Sequence, residues 1–206
     1  MRTLLASLAI SLGAAGSAAA DPRSEADAAA GETLATPCAA CHGQAGISPT
    51  PTFPHLAGQQ MSYLAKQIMD IRDGRREVPQ MAGQVDNFDD QDAWDVAAFY
   101  AGQEPHLGQA DDDEALLARG EELYRAGDRE NGIPACSACH TPTGRGIGSA
   151  AYPALSGLQI DYTVSTLQDF AAGDRDNDPN GVMRDIATKM SDDDMQAVAN
   201  YLLGLN

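Results

Sequence analysis

The 206-residue sequence is poor in cations. Thirteen Lys and Arg stand against 30 Asp and Glu, and Lys66 and Lys189 are its lysines. A formal charge of −17 repels phosphate, so binding of nucleic acid through a basic patch is excluded. Long apolar runs are missing after residue 20, which excludes an integral membrane span in the remainder of the chain. Peripheral attachment to a membrane stays open. Cysteine occurs four times, with no residue left over beyond two close pairs. Strand-like alternation is absent around both pairs, which argues against a βαβ dithiol setting.

The first 20 residues stand apart. Arg2 is followed by an apolar stretch from Leu4 to Leu12 and then by small residues ending Ala18-Ala19-Ala20. This order reads as a cleaved secretory signal peptide over 1–20, against the alternative of an uncleaved anchor, and it implies export to the periplasm. Loss of Arg2 takes the formal charge from −17 to −18. The acidity reads first as a solubility device and second as steering toward a basic partner.

In an exported chain four cysteines suggest disulfides, but their spacing points elsewhere. Cys38-Ala39-Ala40-Cys41-His42 and Cys136-Ser137-Ala138-Cys139-His140 are both C-x-x-C-H. Two thiols separated by two residues on a helical turn can each add to one vinyl group of the same haem, and the following imidazole then faces the iron. A zinc site made from the two Cys pairs would leave His42 and His140 unexplained. The pattern therefore predicts two covalently bound haem c groups, attached at Cys38, Cys41, Cys136 and Cys139, with His42 and His140 as iron ligands.

The motifs lie in an internal repeat. Cys38 and Cys136 are 98 positions apart, and Phe53-Pro54-His55-Leu56-Ala57-Gly58 matches Tyr152-Pro153-Ala154-Leu155-Ser156-Gly157 at offset 99. Tyr63, Asp70 and Gly74 match Tyr162, Asp169 and Gly173 at the same offset, and Val96-Ala97-Ala98-Phe99 matches Val198-Ala199-Asn200-Tyr201 at 102. The expected organisation is a first domain over 21–103, a linker over 104–111 and a second domain over 112–206. Met61, Leu64, Ala65 and Ile68 recur at helical spacing, as do Met195, Val198, Ala199, Leu202 and Leu203. Asp89 and Ser191 stand at N-cap positions, each with an Asp three residues on. Domains of this size have thin cores, and a buried haem would supply much of the missing apolar contact.

The repeat also selects a second iron ligand. Of the Met residues beyond the leader, Met81 and Met183 face each other at offset 102, 39 and 43 residues after their own His and in a loop-like segment between helices. Met61, Met69, Met190 and Met195 face other residue types and read as core filler. Met81 and Met183 are thus the expected thioether ligands. His55 and His106 read as ordinary surface or loop residues. Pro54 and Pro153 carry the carbonyls expected to accept from the two ligand imidazoles, as metal-bound His generally requires.

These residues together resemble the dihaem cytochrome c4 family. The resemblance rests on Cys38 to Gly43, Ser48-Pro-Thr-Pro-Thr-Phe-Pro-His-Leu-Ala-Gly-Gln59, Met81-Ala82-Gly83, Cys136 to His140, and Met183-Arg184 before Ala187-Thr188-Lys189-Met190-Ser191. It covers essentially all of the chain after the leader. It implies an all-α fold of two tandem class I cytochrome c domains, each wrapping one haem, with the haem edges close. It also implies His42/Met81 and His140/Met183 ligation, and crossing terminal helices that meet at Gly31 and Gly120, with Phe99 and Tyr201 nearby. Tyr63, Tyr162, Arg75 and Arg175 are candidates for the haem propionates. The implied role is a periplasmic electron carrier, not an enzyme, taking electrons from a quinol-oxidising complex to a terminal oxidase. A dihaem subunit of a larger oxidoreductase, such as a sulfide-oxidising flavocytochrome, is the alternative; a dihaem peroxidase is a more distant one.

Overall fold

A computed structural model of the chain describes residues 21–205. The expected leader over 1–20 lies outside the described residues. The described chain is helical, with two isolated β-bridges, Asp128 to Ile133 and Ile147 to Tyr152. Four helices form the first half: α1 Ala28–Leu34, α2 Ala39–His42, α3 Met61–Arg72 and α4 Asp90–Ala101. Five form the second: α5 Glu114–Arg125, α6 Ser137–His140, α7 Ile160–Ala172, α8 Val182–Ala187 and α9 Asp192–Leu203.

Each half is built on a crossing of its first and last long helices, α1 on α4 and α5 on α9. Glycine makes both crossings close. A Cβ at Gly31 would lie 1.9 Å from the Asp95 carbonyl oxygen, and one at Gly120 would lie 2.2 Å from that of Ala197. The helix starts follow from local chemistry. Asp89 and Asp92 form a reciprocal capping box on α4, and Ser191 and Asp194 form one on α9. Asp27 and Asp113 accept from the first free backbone N–H groups of α1 and α5.

Two apolar clusters fill the halves. Leu64, Ala65, Val96, Ala97 and Tyr100 are buried in the first, with Met61 and Met69 against them. Leu123, Tyr124, Leu167, Phe170, Met195, Val198 and Leu202 form the second, with Met190 packed on it. All four Met residues read as core filler therefore pack in these clusters. The large aromatic changes sides between the halves. Tyr100 on α4 pairs with a small Ala35 after α1, whereas Tyr124 on α5 pairs with Leu202 on α9.

The connection between halves is docked. A Cβ on Gly58 would meet Pro105, and one on Gly157 would lie 2.0 Å from the His106 carbonyl oxygen, both glycines having positive φ (67° and 72°). The linker thus threads past the same position of the repeat in both halves. His55, read as a surface or loop residue, is a buried one: it is 6% exposed, its Nδ1 accepts from the Ser48 N–H at 3.0 Å, and its ring lies 4.4 Å from that of His106. Burial, and then the neighbouring His106, hold its pKa down to about 4.

Candidate haem sites

The short helices α2 and α6 present the two C-x-x-C-H motifs, and each ends on its buried histidine. The next residue turns the chain away with positive φ: Gly43 at φ 75°, ψ 157° and Thr141 at φ 70°, ψ 157°. That conformation suits glycine and strains any other residue. The loop then returns identically in both halves. Leu56 N–H donates to the Gly46 carbonyl and Leu155 N–H to that of Gly144, both at 2.7 Å. Gly58 N–H donates to the Tyr100 carbonyl and Gly157 N–H to that of Leu202, both at 2.9 Å. These bonds strap the matched Pro-x-Leu-x-Gly segment between motif and last helix.

The strap delivers the expected proline carbonyls. His42 Nδ1 lies 3.0 Å from the Pro54 oxygen and His140 Nδ1 lies 2.9 Å from the Pro153 oxygen. A carbonyl only accepts, so each Nδ1 carries the proton and each Nε2 keeps its lone pair for a metal. Burial lowers both imidazole pKa values, outweighing the opposite pull of the carbonyls, and so favours the neutral, ligating form.

One continuous cavity of about 1030 Å³ reaches all eight predicted site residues. Cys38, Cys41, His42 and Met81 line it from the first half, and Cys136, Cys139, His140 and Met183 from the second. No two cysteines are joined by a disulfide. The two Met residues arrive differently. Met81 closes a 3₁₀ turn over Pro79–Met81, as a loop-like segment would. Met183 instead sits in the first turn of α8, a helix the loop-like reading of this segment omitted. Asn180 and Gly181 enter that helix with positive φ, and Asp178 accepts from both the backbone N–H and Nε of Arg184. These local bonds nucleate a turn that hydrophobic period alone does not reveal.

Where the halves meet, Lys66, Arg76 and Arg175 line the cavity beside Glu77, Asp161, Asp169, Asp174 and Asp178. Arg175 is 7% exposed, stacks 4.5 Å over Phe170 and donates to the Tyr63 hydroxyl at 3.0 Å across the boundary. Arg76 donates to the Gln67 Oε1 at 2.9 Å in its own half. Burial would raise the Tyr162 phenol, but the nearby Arg76 and Arg175 outweigh it and hold its pKa below the usual phenol range. The Arg175–Tyr63 bond ties the halves together at this wall. Arg75, one of the four propionate candidates, is turned elsewhere. It bonds Asp70 and Asp73, and the cavity takes Arg76 in its place. Arg76 is the true match of Arg175 at offset 99, so the repeat already contained that signal.

Sequence reasoning also missed three glutamines that reach backbone across the boundary, among them Gln60, whose Nε2 donates to the Arg145 carbonyl at 2.6 Å. Gln59 bonds the backbone of Ala154, and Gln159 reaches the carbonyls of Ser48, Thr50 and Phe53. Gln60 and Gln159 match at offset 99, so the repeat contained that signal, whereas Gln59 faces Leu158 and had no match to single it out.

The comparisons with known proteins agree with this geometry. Residues 117–206 match the family model "Cytochrome c", and residues 25–99 match "Cytochrome C oxidase, cbb3-type, subunit III". The chain is 45% identical to cytochrome c4 of Pseudomonas aeruginosa over 207 residues, with 100% of both chains covered. A crystal structure of reduced recombinant cytochrome c4 from Pseudomonas stutzeri superposes with a TM-score of 0.84 at 42% identity, covering 88% of this chain and 100% of that one. The chain belongs to the cytochrome c4 family. It is accordingly an all-α dihaem cytochrome with two covalently bound haem c groups, one per cytochrome c domain, and it carries electrons rather than catalysing a reaction on a substrate. A further relative is "Thiosulfate dehydrogenase electron acceptor" of Stutzerimonas stutzeri, 39% identical over 80% of this chain and 76% of that one.

The residues of this cytochrome fit the group. The cavity has thiols and imidazoles in the required order, each imidazole offers a free Nε2, and the Arg76 and Arg175 guanidiniums line it as partners for carboxylates. Tyr100 adds a buried hydroxyl that has no hydrogen-bond partner within the protein. Among the described residues no helix is long and apolar enough to cross a membrane.

Proposed function

We propose that this cytochrome is a periplasmic shuttle that takes electrons from a quinol-oxidising complex to a terminal oxidase. In this reading Cys38 and Cys41 hold one haem and Cys136 and Cys139 the other. His42 with Met81, and His140 with Met183, would hold the two irons. The domains span 21–103 and 112–206, joined by the linker 104–111. Bound haem c would supply a ferric/ferrous couple, whose potential a thioether ligand would raise. The chain's own residues do the rest. Pro54 and Pro153 hold the imidazole protons at Nδ1. Lys66, Arg76 and Arg175 would counter the propionates, beside Tyr63 and Tyr162. The apolar cavity walls exclude water and keep the coordination alike in both redox states.

The observation that carries this reading is the single cavity joining both motifs and both matched Met residues. It supports an imidazole and a thioether donor for each haem, the donor set a carrier needs. Export is supported by the leader pattern over 1–20. The relative named as an electron acceptor of thiosulfate dehydrogenase favours a second reading, in which the donor is a sulfur-oxidising enzyme.

The test is a spectroelectrochemical titration of the holoprotein beside Met81→Ala and Met183→Ala. Each substitution should lower one potential and remove half of the near-infrared sulfur-to-iron band. If both variants keep the wild-type band, the ligand assignment is wrong. Reduction rates with a quinol-oxidising complex and with a thiosulfate dehydrogenase separate the two donors.

A further inference from the structure

Of the cross-boundary glutamines, Gln60 and Gln159 are matched in the repeat and Gln59 is not, and that difference touches the redox centres. Gln59 is 7% exposed and belongs to the first domain, yet its partners lie in the second. Its Oε1 accepts from the Ala154 N–H at 2.7 Å and from the Gln60 N–H at 2.8 Å, while its Nε2 donates to the Ala154 carbonyl at 2.9 Å. Two backbone donors on one side fix which end of the amide is oxygen.

The Ala154 N–H and the Pro153 C=O belong to the same peptide group. That carbonyl receives the Nδ1–H of His140. The bonds therefore form one chain, from His140 through the 153–154 peptide to Gln59. Bonds in series polarise one another. Accepting from the N–H enriches the carbonyl oxygen, which then draws harder on the imidazole proton and makes Nε2 a stronger donor. The first domain has no copy of this arrangement. Leu158 stands at the position matching Gln59 and offers no acceptor. Gln159 donates to the carbonyls of Ser48, Thr50 and Phe53, none of which shares a peptide group with the Pro54 carbonyl.

We propose that Gln59 is a positioning residue that acts across the domain boundary, holding and polarising the peptide that receives the His140 proton and thereby favouring the ferric state of the second haem. The inference rests on His140 being an iron ligand.

The experiment uses the holoprotein of wild type, Gln59→Leu, Gln59→Glu and Gln159→Leu. Redox titration is followed by the hyperfine-shifted haem-methyl and axial-ligand NMR signals, which report the two haems separately. Gln59→Leu should shift the ferric/ferrous equilibrium of the second haem toward ferrous by about two- to fourfold, and move the His140 Nδ1–H resonance. The first haem should change less. Gln59→Glu keeps an acceptor oxygen and should return the second haem to the wild-type bias or beyond it. Gln159→Leu removes comparable contacts from the same boundary and should leave the second haem in place. An unchanged second haem in folded Gln59→Leu overturns the inference alone. So does a shift equal in both haems, or one matched by Gln159→Leu, since either assigns the effect to a loosened boundary. A wild-type second haem without imidazole ligation overturns both the inference and the ligand reading beneath it. If Gln59→Leu yields no folded protein, Gln59→Glu decides alone. A second-haem bias toward ferric larger than that of the first supports the proposal, and equal changes overturn it.

Discussion

Thr141 shows how one residue can carry a conflict that its counterpart avoids. Gly43 and Thr141 follow their motifs with nearly the same backbone angles, φ near 70–75° and ψ 157°. Glycine accepts this region freely, whereas a β-branched residue is strained there by about 1–3 kcal/mol. The strained turn is held from two sides. The Tyr124 hydroxyl donates to the Thr141 carbonyl at 2.6 Å, and Oγ1 accepts from the Arg145 N–H at 3.1 Å. Thr141→Gly relieves the strain, keeps the Tyr124 bond, and forfeits the Arg145 bond and some chain entropy. The expected outcome is a gain of up to about 1 kcal/mol. Denaturant unfolding of the holoprotein checks it, and a clear loss of stability would show that the Oγ1 bond outweighs the strain. The first-domain counterpart of Tyr124 is Ala35, so this hold on the motif belongs to the second domain.

At the scale of elements, the α5–α9 crossing has an ionic clamp in addition to its glycine. Arg119 on α5 reaches Asp194 on α9 at 2.7 Å, Asp128 in the following turn at 2.8 Å and Glu122 at 3.0 Å. Asp128 is held far below the usual carboxylate range, first by Arg119 and then by Asn131. Burial raises Asp194, but Arg119 and the Ser191 cap outweigh it and the net shift is downward. Carboxylates depressed in the folded state bind fewer protons than in the unfolded chain. Their stabilisation is complete above the unfolded carboxylate range and fades as pH falls through about 4 and below. Arg119→Met should therefore be less stable at neutral pH and lose less stability on acidification than wild type. Urea unfolding from pH 7 down to about 3 measures both. Parallel curves would mean that the clamp contributes nothing to folding.

The whole molecule must hold a formal charge of −17 within one compact body. Some of its few cations are spent at the boundary between domains. Lys66 donates to the Asn177 carbonyl at 2.8 Å, and Arg175 and Asn177 converge on Gln67. The surface elsewhere is left self-repelling. Self-repulsion of this kind destabilises the compact state and is screened by salt, with a Debye length of about 10 Å at 0.1 M. The thermal midpoint should therefore rise between low ionic strength and about 1 M NaCl, even though exposed pairs such as Arg125–Glu121 weaken. A falling midpoint would show that ion pairing, not repulsion, dominates the surface.

Sequence alone determined the chemistry. Two C-x-x-C-H motifs, a repeat that pairs Met81 with Met183, and Pro-x-Leu-x-Gly segments beside each motif are covalent facts about order and spacing, and the chemistry of attachment needs just those. The capped starts of α4 and α9 were legible for the same reason, since a cap and its partner lie three residues apart. The tertiary structure decided what depends on residues distant in the chain. It buried His55 against the linker, replaced Arg75 by Arg76 at the cavity wall, ordered α8 around Asp178, and sent Gln59 across to the peptide that holds His140. Such contacts come from packing two similar halves face to face. The boundary uses matched residues such as Gln60 and Gln159 beside unmatched ones such as Gln59, and which partner each finds depends on packing that order and spacing do not encode.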